Sequence, residues 1–340
     1  MLTIALIVYG SLYPWHLRPL PPGQTPIWIL IHSWPNAPAS LLIRDVAVNV
    51  IVYLPLGFFA LTTFKSIWRS FVLGVALSVF AEFSQIFIVS RVPSLVDIAS
   101  NTVGTALGIG IALLWVYTRH RHSDHPVSTL LVACWILYQC FPFIPNLRHA
   151  SVHIWSAPQD VLLFLAEAVA LAVVAKHKAA ALLLIVPLKA VIYTRTLELS
   201  ELACYAAAIV LARLVTISAA PASALLAAAL LMHGFAPYHL LDSPNRFSWV
   251  FFQASFTAEW EPALTVMLGK IYPYAVLIWL IRESGVRLLH ATLGVAVLLA
   301  GIEIAQIYLP GRAAEITDPA LAVLLGWVIQ IVSDRKLYYP

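Results

Sequence analysis

The sequence predicts an all-α protein, a bundle of helices that cross a membrane several times. The chain has 340 residues, of which 61% are hydrophobic and only 11% are charged. In a soluble domain about a quarter of the residues are charged. The apolar runs approach the roughly 20 residues that a spanning helix needs, and they lack the period-two alternation of barrel strands. Because lipid offers no partner to backbone polar groups, helices are the structure that these runs can adopt.

Twelve apolar segments are predicted to be spanning helices. They fall into three sets of four, separated by the polar stretch after Tyr117 and by the small residues before Pro221. The sets predict domains at 1–117, 126–217 and 222–340. The segments are 2–15, 44–64, 69–88, 95–117, then 127–145, 159–175, 179–194, 199–217, then 222–237, 262–281, 286–309 and 316–333.

Basic residues predict the orientation of these helices. Lys65 and Arg69 follow the second helix of the first set, and Arg119 and Arg121 follow its fourth helix. Corresponding loops of the other two sets are basic as well. Since Lys and Arg accumulate on the cytoplasmic side, both termini are predicted to be cytoplasmic. The formal charge of +4 lies in these loops, so it indicates topology rather than nucleic-acid binding.

One spacing of polar residues occurs twice in this apolar chain. The first copy, here the N-terminal motif, consists of Glu82, Gln85, Arg91 and Asp97. Adding 221 to each number gives the second copy without a gap. This C-terminal motif consists of Glu303, Gln306, Arg312 and Asp318. Four matching polar residues at one offset, where charges are rare, indicate an internal repeat.

Further similarities extend the repeat to the middle set. The first helix of the first set ends in Pro14-Trp-His-Leu17, and that of the last set ends in Pro237-Tyr-His-Leu240. The middle set keeps Arg195 and Glu201, six residues apart like Arg91 and Asp97, without the Glu and Gln. We therefore predict one four-helix unit present three times, with the middle copy the most altered.

The repeated polar residues are also the candidate site. Ionisable residues inside a membrane usually face the bundle, where they pair with one another or mark a functional path. In one interpretation Arg91 pairs with Asp97 or Glu82 and holds two helices together. In the other, the residues form a pocket for a small anionic or glycan ligand at the outer face. The first-copy candidates are Asp45, Asn49, Glu82, Gln85, Arg91, Asp97 and Asn101; the second-copy candidates are Glu303, Gln306, Arg312 and Asp318.

No spacing identifies a cofactor, a metal or a catalytic mechanism. The chain has no phosphate-binding loop, dinucleotide fingerprint or zinc-protease motif, so neither cofactor nor metal is predicted. A carboxylate in the predicted pocket could act as a general acid or base. No nucleophile–base pair is evident from spacing, so whether the protein is an enzyme stays open.

The first third of the chain resembles the VanZ-like family of bacterial membrane proteins. The match runs through Tyr9-Gly-Ser-Leu-Tyr-Pro14, Arg44-Asp-Val-Ala-Val-Asn49 and Tyr53-Leu-Pro-Leu-Gly57, then Glu82-Phe-Ser-Gln85, Arg91, Asp97-Ile-Ala-Ser-Asn101 and Gly104. The last set departs from this pattern. Ala322 stands opposite Asn101, and Met267 and Lys270 lie where Asn49 would fall. The resemblance therefore favours the first copy as the working site.

This resemblance implies a multi-pass protein of the bacterial inner membrane. The members that name the family are associated with low-level resistance to teicoplanin, and others look like parts of envelope or exopolysaccharide systems. The implied partners are membrane lipids, a lipid-linked glycan or lipoglycopeptide, and envelope biosynthesis proteins, with no nucleic acid. The expected function is binding of such a head group at the outer membrane face. The alternatives are an intramembrane enzyme on a lipid-linked precursor and a structural component of a biosynthesis complex.

Overall fold

The computed structural model describes residues 2–33, 39–89, 91–122, 126–144, 151–192, 195–253 and 260–333. Their contacts divide the chain into two compact units. The N-terminal unit begins at Met1 and ends at Ser123, with the last residues of the chain also assigned to it; the C-terminal unit runs from Asp124 to Asp334. The described part of the middle set and that of the last set therefore lie in a single unit.

Five helices make up the described N-terminal unit. They are α1 (Leu2–Leu12), α2 (Pro26–His32), α3 (Ala39–Phe64), α4 (Ile67–Gln85) and α5 (Leu95–His122). The short α2 lies inside a predicted loop, and its start is fixed by a capping residue and a proline. Thr25 accepts a hydrogen bond from the backbone of Trp28, and Pro26 occupies the first turn, where no N–H donor is needed.

Glycines allow α3 and α5 to pack closely. A Cβ atom added at Gly104 would overlap the backbone of Val50, and one added at Gly108 would overlap the backbone of Leu54. In lipid, where no hydrophobic force drives helices together, such close approach supplies the dispersion contacts that stabilise the pair. Helix α5, which carries Asp97 of the N-terminal motif, is thereby fixed against α3.

The C-terminal unit contains the remaining helices. They are α6 (Pro126–Cys140), α7 (Pro158–Ala175), α8 (Ala179–Leu182), α9 (Leu199–Leu214), α10 (Ala219–Phe235), α11 (Trp260–Glu283), α12 (Leu288–Gln306) and α13 (Thr317–Ser333). Two 3-10 segments, Lys176–Lys178 and Leu183–Val191, flank α8. Strands β1 (Val152–His153) and β2 (Leu197–Glu198) form a parallel pair that the apolar pattern did not predict.

Helix α11 is the core of this unit. Every residue from Tyr274 to Leu280 is buried, as is Tyr272. A helix that is apolar on all sides is one that neighbours surround. Helices α6, α7, α10, α12 and α13 all pack against it. The middle set and the last set therefore share one core.

The all-α prediction is confirmed, and the apolar helices agree with a membrane protein. Six described helices have stretches long and apolar enough to cross a bilayer: Asp45–Phe64, Ile67–Gln85, Leu95–Trp115, Pro158–Ala175, Pro262–Glu283 and Leu288–Gln306. Shorter apolar helices occupy five of the other predicted segments. The count of twelve spans, the three repeats and the cytoplasmic termini stay predictions.

Candidate functional site

The carboxylate of Glu82 holds the loop between α4 and α5. This side chain lies in the last turn of α4 and is 2% exposed. Its Oε2 accepts a hydrogen bond of 2.8 Å from the backbone N–H of Ser94. The Ser94 hydroxyl in turn accepts from the backbone N–H of Val96 in the first turn of α5. Glu82 thus fixes the start of the helix that carries Asp97.

Arg91 holds the end of α1 through main-chain carbonyls. Its Nε donates to the carbonyl of Tyr13 at 2.8 Å, and its Nη2 donates to the carbonyl of Gly10 at 2.9 Å. Burial lowers the pKa of Arg91, and the nearby Glu82 carboxylate opposes that shift. The partners of the guanidinium are therefore backbone oxygens rather than the Asp97 or Glu82 side chains that the sequence suggested. We call this arrangement an arginine clasp.

The remaining first-copy candidates lie along α3, α4 and α5. The Asn49 amide and the exposed Asp45 both lie near the Asp97 carboxylate. Asn101 is 3% exposed, and its Nδ2 donates to Ser78 at 3.0 Å. Its Oδ1 has no hydrogen-bond partner among the described residues. Gln85 is buried as well. Asp45, Asn49 and Asp97 thus come together.

The C-terminal motif makes the same backbone contacts. Glu303 Oε2 accepts from the backbone N–H of Glu315 at 2.8 Å. Arg312 donates through Nε to the carbonyl of Ala236 at 3.1 Å and through Nη2 to that of His233 at 2.8 Å. Gln306 donates to the carbonyl of Gly234 at 3.1 Å. A second arginine clasp therefore holds the end of α10.

Asp318 differs from Asp97 in its partners. Its Oδ1 lies 2.6 Å from Lys270 Nζ, and its Oδ2 accepts from the hydroxyl of Tyr274 at 2.6 Å. Subtracting 221 from 270 and 274 gives Asn49 and Tyr53. Lys270 thus stands where the first copy has a neutral amide, and it turns a polar contact into an ion pair.

The middle set has a partial arginine clasp and a buried ion pair. Arg195 Nη2 donates to the carbonyl of Tyr138 at 2.6 Å, but its Nε, unlike those of Arg91 and Arg312, has no hydrogen-bond partner among the described residues. Lys189 Nζ lies 2.8 and 2.7 Å from the two carboxylate oxygens of Glu201. Sequence reasoning identified Arg195 and Glu201 but missed Lys189. The signal was available, because adding 104 to Gln85, Arg91 and Asp97 gives positions 189, 195 and 201.

A cavity of about 610 Å³ in the C-terminal unit collects polar groups of both of its sets. Pockets for small ligands typically measure about 300–1,000 Å³. One wall carries an Asp160–His233 contact of 2.9 Å. Its charged or ionisable lining residues are Asp160, Glu167, His233, Lys270, Arg312, Glu315 and Asp318, and its aromatic ones include Tyr138, Phe164, Phe252 and Tyr274. Arg312 and Asp318, predicted in the second copy, thus line one cavity with residues that the sequence did not single out.

These features define a multi-helix membrane protein with polar clusters buried among apolar helices. Residues 1–116 match the family model described as VanZ/LLP1. The N-terminal unit is therefore similar to the VanZ-like family, in agreement with the resemblance noted in the sequence. The match covers about a third of the chain and does not extend into the C-terminal unit. Neither the curated proteins nor the solved structures contain a match.

Replacing Arg91 by alanine should destabilise the N-terminal unit. Two partly buried carbonyls would lose charged donors, and a hydrogen bond to a charged group contributes about 1.5–3 kcal/mol. Lysine should restore only part of this, because an ammonium group lacks the planar fork of N–H donors through which the guanidinium reaches two separate carbonyls. Unfolding of the protein in mixed micelles measures the effect, with Arg69→Ala, an exposed arginine, as the control. Unchanged stability in Arg91→Ala would contradict the clasp.

Proposed function

We propose that the protein binds the polar head group of a lipid-linked envelope molecule, a glycan, a phosphate or a lipoglycopeptide, at the outer membrane face. The observation that supports this proposal is the cavity of about 610 Å³, which lies in a unit of apolar helices and whose lining joins apolar residues with several charged ones. A membrane amphiphile presents this combination of chemistry, an apolar chain joined to a polar head. The family of the N-terminal unit agrees with a role in the bacterial envelope.

The charges of the cavity favour a glycan head over a phosphate. The cations Lys270 and Arg312 are already engaged, the first with Asp318 and the second with backbone carbonyls. Acidic side chains outnumber these cations in the lining. Carboxylates accept hydrogen bonds, which suits the donor hydroxyls of a sugar and repels a phosphate. Aromatic side chains in the same lining offer faces on which a sugar ring can stack.

The proposed architecture is the predicted one. It has twelve spans in three four-helix units, an inner-membrane location and both termini in the cytoplasm. The two arginine clasps and the partial clasp of the middle set support a common origin of the units. Two residues after the end of each clasped helix comes a proline, followed by an aromatic residue with positive φ: Pro14-Trp15, Pro142-Phe143 and Pro237-Tyr238.

An enzymatic use of the same cavity is the second candidate. The Asp160–His233 contact favours it, because a carboxylate that orients a histidine is a common arrangement for a general base. A lipid-linked precursor with a labile glycosidic or phosphate bond would be the substrate. Turnover of such a precursor by purified protein, lost in His233→Gln, would favour the enzyme over the binding protein.

Lipid analysis of the protein in native nanodiscs tests the binding proposal. We expect a glycolipid to co-purify with the wild type and to be lost in Ala313→Trp, which places an indole at an exposed residue of the cavity lining. The control is Ala207→Trp on α9, an exposed alanine outside that lining. Equal recovery of the lipid with both variants would overturn the cavity as the site.

A further inference from the structure

Three ionisable side chains are buried together in the C-terminal unit. Glu201 is 1% exposed and Glu167 is 3% exposed, and Lys189 is 6% exposed. The ammonium of Lys189 contacts both oxygens of Glu201. Glu167 interacts electrostatically with both members of this pair. The cluster thus places one cation against two carboxylates.

Among the described residues, Lys189 is the cation that acts electrostatically on Glu167. Lys270, which lines the same cavity, pairs with Asp318. Tyrosine side chains approach Glu167 from three helices: Tyr138 of α6, Tyr205 of α9 and Tyr272 of α11. The Tyr272 hydroxyl donates to the main-chain oxygen of Glu167 at 3.3 Å. Helix α10 contributes His233, which pairs with Asp160 two turns away from Glu167 on α7.

The described basic residues of the neighbouring segments are either exposed or bound to other groups. Lys176 and Lys178, which adjoin the end of α7, are exposed. Arg195 lies over the ring of Tyr138, 4.8 Å from its centroid, and donates to the carbonyl of the same residue. Among the described residues, the carboxylate of Glu167 would therefore have to share one cation with Glu201, and a buried charge without a cation of its own is destabilising.

A hydrogen-bond acceptor buried next to the Lys189–Glu201 ion pair has no donor among the described residues. Gln139 is fully buried, and its Nε2 lies 3.4 Å from Glu201 Oε1. Its Oε1 has no hydrogen-bond partner among the described residues. An acceptor buried without a donor is destabilising. The cluster is therefore short of one hydrogen-bond donor as well as one positive charge.

We propose that Glu167 is a proton-binding site of the C-terminal unit, reached from the cavity that it lines. The carboxyl holds the proton in the folded state, which leaves Lys189 and Glu201 as a balanced pair. Loss of the proton adds a second negative charge beside Glu201. This site does not depend on the identity, or the existence, of a ligand in the cavity.

Infrared spectroscopy of the protein in nanodiscs tests the site directly, because a protonated carboxyl has a C=O stretching band that a carboxylate lacks. At neutral pH we expect this band in the wild type, a loss of intensity in Glu167→Gln and unchanged intensity in Glu283→Gln, which alters an exposed carboxylate. Raising the pH should remove the wild-type band and lower the thermal stability, since deprotonation leaves an unpaired buried charge. The stability of Glu167→Gln should lose that dependence.

Two results would overturn the proposal. A band of unchanged intensity in folded Glu167→Gln would assign the proton to another group. Stabilisation of the wild type by sodium ions at neutral pH, absent in Glu167→Gln, would identify a cation site instead. If Glu167→Gln does not fold, Glu167→Asp serves in its place. It retains a carboxyl in an altered environment, so the band should shift, and an unshifted band would contradict the assignment.

Discussion

Replacement of Lys189 by methionine should lower the free energy of unfolding of the C-terminal unit by about 3–5 kcal/mol. The ammonium contacts both oxygens of Glu201 in a region that excludes water. Its removal would leave two carboxyl groups, Glu167 and Glu201, without a cation. Reversible unfolding in mixed micelles measures the loss. Lys178→Met, which removes an exposed lysine from the preceding turn, should change the stability by about 0.5 kcal/mol or less.

The double variant Lys189→Met with Glu201→Leu separates the ion pair from packing. When both charges are removed together, neither is left buried and unpaired, and such replacements are often neutral or stabilising. We therefore expect the double variant to recover most of the stability that Lys189→Met loses. A double variant as unstable as the single one would show that Lys189 acts through its volume rather than its charge.

Alanine at Gly108 should force α3 and α5 apart. The added Cβ would overlap the carbonyl of Leu54 and approach the backbone nitrogen of Phe58, and backbone atoms cannot rotate aside as a side chain can. Overpacking a fitted contact costs about 1–3 kcal/mol. Thermal unfolding of the protein in nanodiscs, followed by circular dichroism, measures the change.

Gly110 is the matched control, because it lies on the same helix and nothing lies within 4 Å of a Cβ placed there. Gly110→Ala should raise the stability by up to about 1 kcal/mol, since alanine favours the helix over glycine. Equal destabilisation by the two alanines would mean that the α3–α5 contact is looser than its geometry indicates.

Composition and apolar length sufficed to predict the class of fold, because lipid leaves helices as the structure for such runs. They did not predict α2, whose seven residues are too few to be recognised by length. The parallel pairing of β1 with β2 was likewise missed. Each strand has two residues, so no alternation develops along it.

The sequence identified the repeated polar residues but not their contacts, and of the cavity lining it named only Gln306, Arg312 and Asp318 as site candidates. The spacing identified Arg91 and Arg312, but the sequence suggested side chains as their partners. Main-chain carbonyls could not be predicted as partners, because every residue has one whatever its side chain. Glu167 was missed for a different reason. It belongs to no repeated spacing, and it acquires its significance only when Lys189 and Glu201 approach it from other segments.

The arginine clasps place almost no demand on the residues they hold. Every residue type has a carbonyl, and the clasped positions here are as unlike as glycine, histidine, alanine and tyrosine. The held segment can therefore diverge in sequence while its attachment persists. Relatives of the C-terminal unit would then be better recognised by an arginine that donates to the carbonyls at the end of another helix than by a comparison of residue types.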